Sequence, residues 1–341
     1  MSSRTLNRRE ILRGLGWLAG FAIVATPRNS YSLSTMPTEQ LQRTLGYLGY
    51  LQPDGITGFP DDLTQRALLR FKRHASRAYR LSHKGIPEDA VTPNDRFSGD
   101  IDPSLTEHTV LEMRRWIDRG WKLPLGRFKF ESLAEDGKPA SAALKWALLR
   151  EDAAKAWKSA MREAAKRGAT LAEPYGDTAR PLGYDRKEGV SRTSFHICGR
   201  AVDINQRFAQ GLGQRYFLSP EETNDRMYFR LYCLTALQNG AQGVRYDDGQ
   251  IRCWRAGLRG DLFLPRGWYI DLTALLDTVH FERIAAHENW QKYDIYSEWW
   301  HYQYNVEKQA TFLDECELIG ISEKRLIDAR YTVDEMDHEP G

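Results

Sequence analysis

The stretch "SFHICGRAVDI", residues 194–204, places an imidazole at His196 and a carboxylate at Asp203 in one apolar segment of a mostly polar chain. Both groups are preferred zinc ligands, and a catalytic zinc takes three protein ligands and keeps a fourth position for water or substrate. Two ligands are therefore in hand and a third has to come from elsewhere. The most suggestive source is "SEWWHYQY", residues 297–304, where Glu298 and His301 stand in a Glu-x-x-His spacing among aromatic residues. His301 completes a set of three. Glu298 is then a carboxylate beside the metal that is not itself a ligand, placed to take the proton of an attacking water and hand it to a leaving amine. Gly199 and Ala201 separate the first two ligands, and their small size lets the strand that carries them approach metal and substrate closely.

Taken singly, each residue has a plainer reading. His196 alone is a half-buried histidine, Asp203 alone a turn or cap residue, and "EWWH" alone an aromatic cluster with a polar edge. The joint pattern is what carries weight. Cys198 lies between two ligands but reads better as a small buried hydrophobe, since a closed four-ligand site would be structural. His280 and His287 fall on an expected helix and read as core or surface residues.

The elements that must position these groups follow from composition and periodicity. The chain has 341 residues, long enough for two folded units, with 41% hydrophobic and 28% charged residues and a mean hydropathy of -0.58. The 48 Lys and Arg against 46 Asp and Glu leave a net charge of +2 and no electrostatic reason to expect a nucleic-acid partner. Nothing beyond the first thirty residues is apolar for long enough to cross a bilayer. Four scattered cysteines without a CxxC spacing argue against a cysteine zinc knuckle and leave disulfide pairing open.

Residues 38–51, "TEQLQRTLGYLGYL", predict a helix capped by Thr38 with Leu41, Leu45 and Leu48 on one face. After the breaker "QPDGITGF", a second helix presents Leu63, Ala67, Leu68 and Phe71, and a third is closed by Leu111, Trp116 and Ile117. Past a linker comes a strong Ala-rich helix over 151–168, with Ala154, Trp157, Met161 and Ala164 on one side. Strand-like "RAVDI" and "WYIDL", a helical "TVHFERIAAHENWQ" and a strand-like "SEWWHYQYNV" complete the pattern. The mixture points to an α+β domain rather than a doubly wound sheet.

Ser194, His196, Gly199, Ala201 and Asp203, followed far downstream by Glu298 and His301, form a Ser-x-His-x-x-Gly-x-Ala-x-Asp … Glu-x-x-His pattern. It resembles that of the zinc D-alanyl-D-alanine carboxypeptidases of the VanY and VanX kind. "FERIAAHENWQKYDIYSEWWHYQY" is similar to that family's approach to its catalytic glutamate and last histidine, and the likeness covers residues 140–310. The resemblance implies a hedgehog-like D-Ala-D-Ala-peptidase fold and one catalytic zinc ion on His196, Asp203 and His301. It further implies Glu298 as base and peptidoglycan stem peptides as substrate. The family's upstream Ser-Gly-Tyr-Arg stretch, whose arginine stabilises the substrate carbonyl or carboxylate, is missing from "ATLAEPYGDTARPLGYDRKEGVSRTSFH". Arg180 is the best candidate for that role, with Arg186 and Arg192 left open.

Two further resemblances concern the N-terminal part. "LQRTLGYLGYL", "DGITGF", "LTQRALLRFKRH" and "GDID" follow the order of a three-helix peptidoglycan-binding domain over residues 37–120, with Lys72 in place of that domain's usual glutamine and a long insert over 75–98. "NRREILR" ahead of "LGWLAGFAIVA" resembles a twin-arginine export signal over residues 1–30, which implies a periplasmic or cell-wall location. Residues 311–341 read as a C-terminal tail. The function expected is removal of the terminal D-alanine from stem peptides. A cross-link endopeptidase and a non-catalytic wall-binding protein are the rivals.

Overall fold

The computed structural model describes residues 36–82, 102–123, 125–134, 147–171, 175–183, 191–209, 214–255, 262–306, 308–309 and 311–341. The expected export signal, most of the 75–98 insert and Arg186 lie outside them. The chain divides into two compact units after Leu123. Among the described residues no helix is long and apolar enough to cross a membrane.

The first unit holds α1 (Thr38–Tyr47), α2 (Asp62–Ser82) and α3 (Glu107–Asp118). Leu41, Leu45 and Leu48 pack with Ala67, Leu68, Phe71, Met113 and Trp116. Leu63, Leu111 and Ile117 are exposed, contrary to expectation. On α3 the buried Trp116 sets the face, and Leu111 and Ile117 stand roughly 140° and 100° of helical rotation away from it. Thr38 does not cap α1 either: Pro37 occupies that position, and no side chain bonds to the first turn. A proline fixes its own φ near the helical entry value, so the start needs no hydroxyl.

Buried polar residues complete this unit. Gln42 donates to the Phe59 carbonyl at 2.8 Å and to Thr64 Oγ1 at 2.9 Å, and accepts from Gly58 N at 2.7 Å, which ties the "DGITGF" loop to α1 and α2. Lys72 is fully buried and reaches Asp102 Oδ1 at 2.8 Å.

The second unit is mixed α and β, and its strands pair antiparallel throughout the described residues. β1 (Phe130–Ser132) pairs with β2 (Leu148–Arg150), which leads directly into α4 (Glu151–Lys166). Ala154, Trp157 and Ala164 of α4 are fully buried and Met161 packs at the core's margin. A four-stranded sheet runs β4 (Tyr216–Thr223), β5 (Arg226–Leu234), β9 (Gly267–Asp271), β6 (Val244–Tyr246), and β7 (Arg252–Cys253) pairs with β8 (Leu262–Phe263). Asn224 and Asp225 join β4 to β5 with φ of 52° and 59°, the left-handed pair that a two-residue hairpin turn requires. Helix α5 (Leu272–Asp277) follows β9, with the Asp271 carboxylate accepting from Ala274 N.

The sheet that matters for chemistry is small: β10 (Phe281–Arg283), β11 (His301–Tyr304) and β3 (Ala201–Asp203), in that order. The helix expected over 278–291 is not formed. Phe281–Arg283 instead pair with Tyr302–Tyr304 as strand β10, and His280 just before them adopts φ 63°, which no α-helix accommodates. The Phe281 ring stacks edge-on against Trp157 of α4 at 4.8 Å, so a tertiary partner overrides the local helical pattern.

Residues 311–341, expected as a tail, fold against this unit as α6 (Phe312–Leu318), α7 (Glu323–Asp328) and α8 (Val333–Asp337). Each starts on a hydroxyl cap, Thr311, Ser322 and Thr332. Phe312, Leu313, Cys316, Leu326, Tyr331 and Met336 close over Ile197 and Cys198.

Candidate metal centre

His196 lies not on a strand, as expected, but on a tight turn that precedes β3. Ile197 N bonds the Ser194 carbonyl and Gly199 N the His196 carbonyl, both at 3.0 Å. Gly199 ends the turn at φ 67°. A Cβ there would lie 2.4 Å from the Phe130 ring and 2.8 Å from Arg150 N. The glycine therefore serves close packing against β1 and β2 rather than approach to metal or substrate, the purpose expected of it. Cys198 is fully buried in the cluster with Phe312 and Cys316, and all four cysteines are free thiols.

Strand register brings the second and third groups together: Asp203 of β3 and His301 of β11 are direct cross-strand partners. Three atoms converge as a result. His301 Nδ1 is 2.8 Å from Asp203 Oδ1, His196 Nε2 is 3.2 Å from the same oxygen, and the two ring nitrogens are 3.3 Å apart. A tetrahedral ion with arms of 2.0–2.1 Å has ligand-to-ligand edges of about 3.3–3.4 Å, so the three atoms form one slightly compressed face of such a tetrahedron. His196, Asp203 and His301 can thus hold a metal ion.

The surroundings suit that use. The His196 Nδ1 faces the Thr178 carbonyl at 2.7 Å; donating a proton there keeps the Nε2 lone pair aimed at the centre. Burial opposes ionisation of Asp203, but the His196 and His301 imidazoles against it outweigh this and hold its carboxyl well below the usual range. On the other edge of the His301 ring, Nε2 meets the side-chain amide of Gln303 at 3.1 Å.

Glu298 stands at the entrance to β11 with φ 50°, a left-handed conformation for a non-glycine residue. Its carbonyl accepts from His301 N at 3.1 Å, closing the turn that sends Trp299 and Trp300 into the core. Burial pushes the Glu298 carboxyl above its ordinary pKa; nearby His301 and Arg180 counter this and Asp203 adds to it. A carboxyl held up in this way is suited to accept and return a proton. His287, expected on a helix, lies on a loop with its Nε2 3.6 Å from Glu298 Oε1.

Of the three arginines considered, Arg180 is near the centre. Its backbone N bonds the His196 carbonyl at 3.0 Å, its Nε donates to Asp177 Oδ2 at 2.5 Å, and its guanidinium comes within 3.8 Å of Asp203 Oδ2. Arg192 is engaged elsewhere, with Glu335 at 2.7 Å and the Arg330 carbonyl at 2.8 Å, and so anchors the C-terminal helices.

Sequence reasoning passed over the residues that support these groups. Residues 175–180 form a strap along β3, through an Asp177–Asp203 bridge, that supplies both the Thr178 carbonyl to His196 and the Asp177 carboxylate to Arg180. Thr178 acts through its backbone, which leaves no mark on residue type. Gln303 was readable in principle, being two positions from His301 on the same strand face. Comparisons of this chain with protein-family models, with curated proteins and with solved structures found no match.

Proposed function

We propose that the protein is an exported zinc peptidase of bacterial peptidoglycan that removes the terminal D-alanine from stem peptides. The observation that carries this reading is the convergence of His196 Nε2, Asp203 Oδ1 and His301 Nδ1 on one tetrahedral face, with a half-buried carboxylate of raised pKa, Glu298, near enough to feel the charge of His301 and Asp203. Two imidazoles and one carboxylate are a donor set suited to zinc, with a position left for water or substrate. Zinc bound there would supply Lewis acidity and a lowered pKa for water.

The chain's own residues divide the remaining tasks. Glu298 accepts the proton of the water that attacks the peptide carbonyl carbon, and returns it to the nitrogen as the C–N bond breaks and D-alanine leaves as a free amine. Arg180 offers a cation to the substrate's terminal carboxylate or to the oxygen on which negative charge develops. The second unit is read as the hedgehog-like peptidase domain. The three-helix unit is read as a wall-binding module that concentrates the enzyme at an insoluble substrate, and residues 1–30 as the export signal.

Mass spectrometry of a muramoyl pentapeptide and of cross-linked stem dimers, incubated with zinc-loaded protein beside Glu298→Ala, tests this reading. Loss of one terminal alanine with the wild type alone is the expected result. Separation of the dimers instead would make the enzyme an endopeptidase. No change in either substrate, with retained binding to sacculi, would leave a wall-binding protein.

A further inference from the structure

We propose that Gln303 is the positioning residue of the last metal ligand, its side-chain amide holding the far edge of the His301 ring; this rests on the reading of His196, Asp203 and His301 as a metal site. A neutral imidazole has one N–H and one lone pair, on opposite edges of the ring. On one edge of His301, Nδ1 faces Asp203 Oδ1 at 2.8 Å. On the other, Nε2 faces Gln303 Nε2 at 3.1 Å.

Coordination fixes which edge carries the proton. Nδ1 is the atom that shares a tetrahedral face with His196 Nε2 and Asp203 Oδ1, so its lone pair faces the cation and the proton sits on Nε2. The Gln303 amide lies at hydrogen-bonding distance from that edge and offers Oε1 as the acceptor. A primary amide carries both functions at one reach, whereas a glutamate only accepts and a methionine of similar length does neither. The flanking strands leave this task to Gln303: opposite it stand Ala201, which is apolar, and Glu282, whose carboxylate accepts from Asn305 Nδ2 at 2.8 Å.

The test is the zinc affinity of the full chain, by competition with a chromophoric chelator, for wild type, Gln303→Met, Gln303→Glu and His301→Ala. The tautomer of His301 in the zinc-loaded protein is read in parallel by long-range nitrogen–proton NMR. Losing the orienting acceptor is expected to weaken zinc about 10–100-fold in Gln303→Met, while Gln303→Glu binds at least as tightly as wild type. Wild type and Gln303→Glu should both carry the His301 proton on Nε2. Wild-type affinity in a folded Gln303→Met, weakening of Gln303→Glu by tenfold or more, or a proton on Nδ1 in the loaded protein would overturn the proposal. If Gln303→Met does not fold, the Gln303→Glu affinity and the tautomer decide alone. Wild type that binds zinc no better than His301→Ala would instead remove the metal site itself, a separate result that takes this proposal with it.

Discussion

Two buried charged clusters share the segment 194–204 and behave in opposite ways. In one, Arg150 grips Asp152 through two bonds of 2.8 and 2.7 Å and reaches Glu315 Oε2 at 2.9 Å. Arg200 bonds the other oxygen of Glu315 and the carbonyls of Tyr304 and Val306, and Gln309 N adds a bond to Glu315 at 2.8 Å. Two guanidinium groups meet two carboxylates, and Arg150, Arg200 and Glu315 are fully buried. This cluster neutralises itself and clamps α6 onto the turn that carries His196. In the other, His196 Nε2, Asp203 Oδ1 and His301 Nδ1 lie 2.8 to 3.3 Å from one another, and the Glu298 carboxylate is close enough to feel the charge of His301 and Asp203. Burial and charge are common to both clusters. What separates the scaffold from the site is the kind of group: the first pairs two permanent cations with two carboxylates, whereas the second brings three atoms able to ligate a metal ion to one face.

The same chemical change, glutamate to glutamine, sharpens that contrast. Glu298→Gln should cost hydrolysis about 10²–10⁴-fold, the worth of a positioned acid–base group. Its resistance to urea at neutral pH should not fall, because burial already disfavours the charge that is removed. Glu315→Gln should do the reverse to stability. Leaving Arg150 and Arg200 without their shared carboxylate is expected to cost about 3–5 kcal/mol, read as a lower urea midpoint. Equal stabilities for the two variants would erase the distinction drawn between the clusters.

The pH profile follows from the sign of the Glu298 shift. As the proposed general base Glu298 must be ionised to act, and burial raises its pKa. Turnover should therefore fall about tenfold per pH unit as pH drops through a midpoint above the ordinary carboxylate range. A limb at or below an ordinary glutamate pKa, or one that survives in Glu298→Gln, would assign the titration to another group. The smallest effect is expected from Asp177→Asn. It keeps a hydrogen-bond acceptor for Arg180 but loses the charge that holds the guanidinium, and kcat/KM should drop roughly tenfold through misplacement. An unaltered kcat/KM would show that Arg180 needs no such support.

How much of this was legible follows from what each residue does. His196, Asp203 and His301 could be marked as candidate ligands because ligand chemistry resides in the side-chain type, and the likeness to a family pattern grouped them with Glu298. The Ala-rich helix was legible for a similar reason, since Ala154, Trp157 and Ala164 recur at its period and are buried. Legibility failed where a partner from afar decided the outcome. Residues 281–283 carry a pattern compatible with a helix, and only the edge of β11 makes them a strand. Leu111 and Ile117 are as apolar as Met113, yet the face of α3 was settled by where Trp116 finds Phe71 and Trp121.

The sequence by itself determined the inventory: which groups can ligate, which can carry a proton, and that both α and β elements would be present. Only the tertiary structure decided the assembly. Cross-strand register set Asp203 against His301, a left-handed residue at Glu298 closed the turn into β11, and a strap over 175–180 oriented His196 and Arg180 through a backbone carbonyl and an aspartate. The reason is physical. Ligand identity is a property of single side chains, whereas distances of 2.8 to 3.3 Å between groups about a hundred residues apart exist only when strand pairing and core packing place their backbones together.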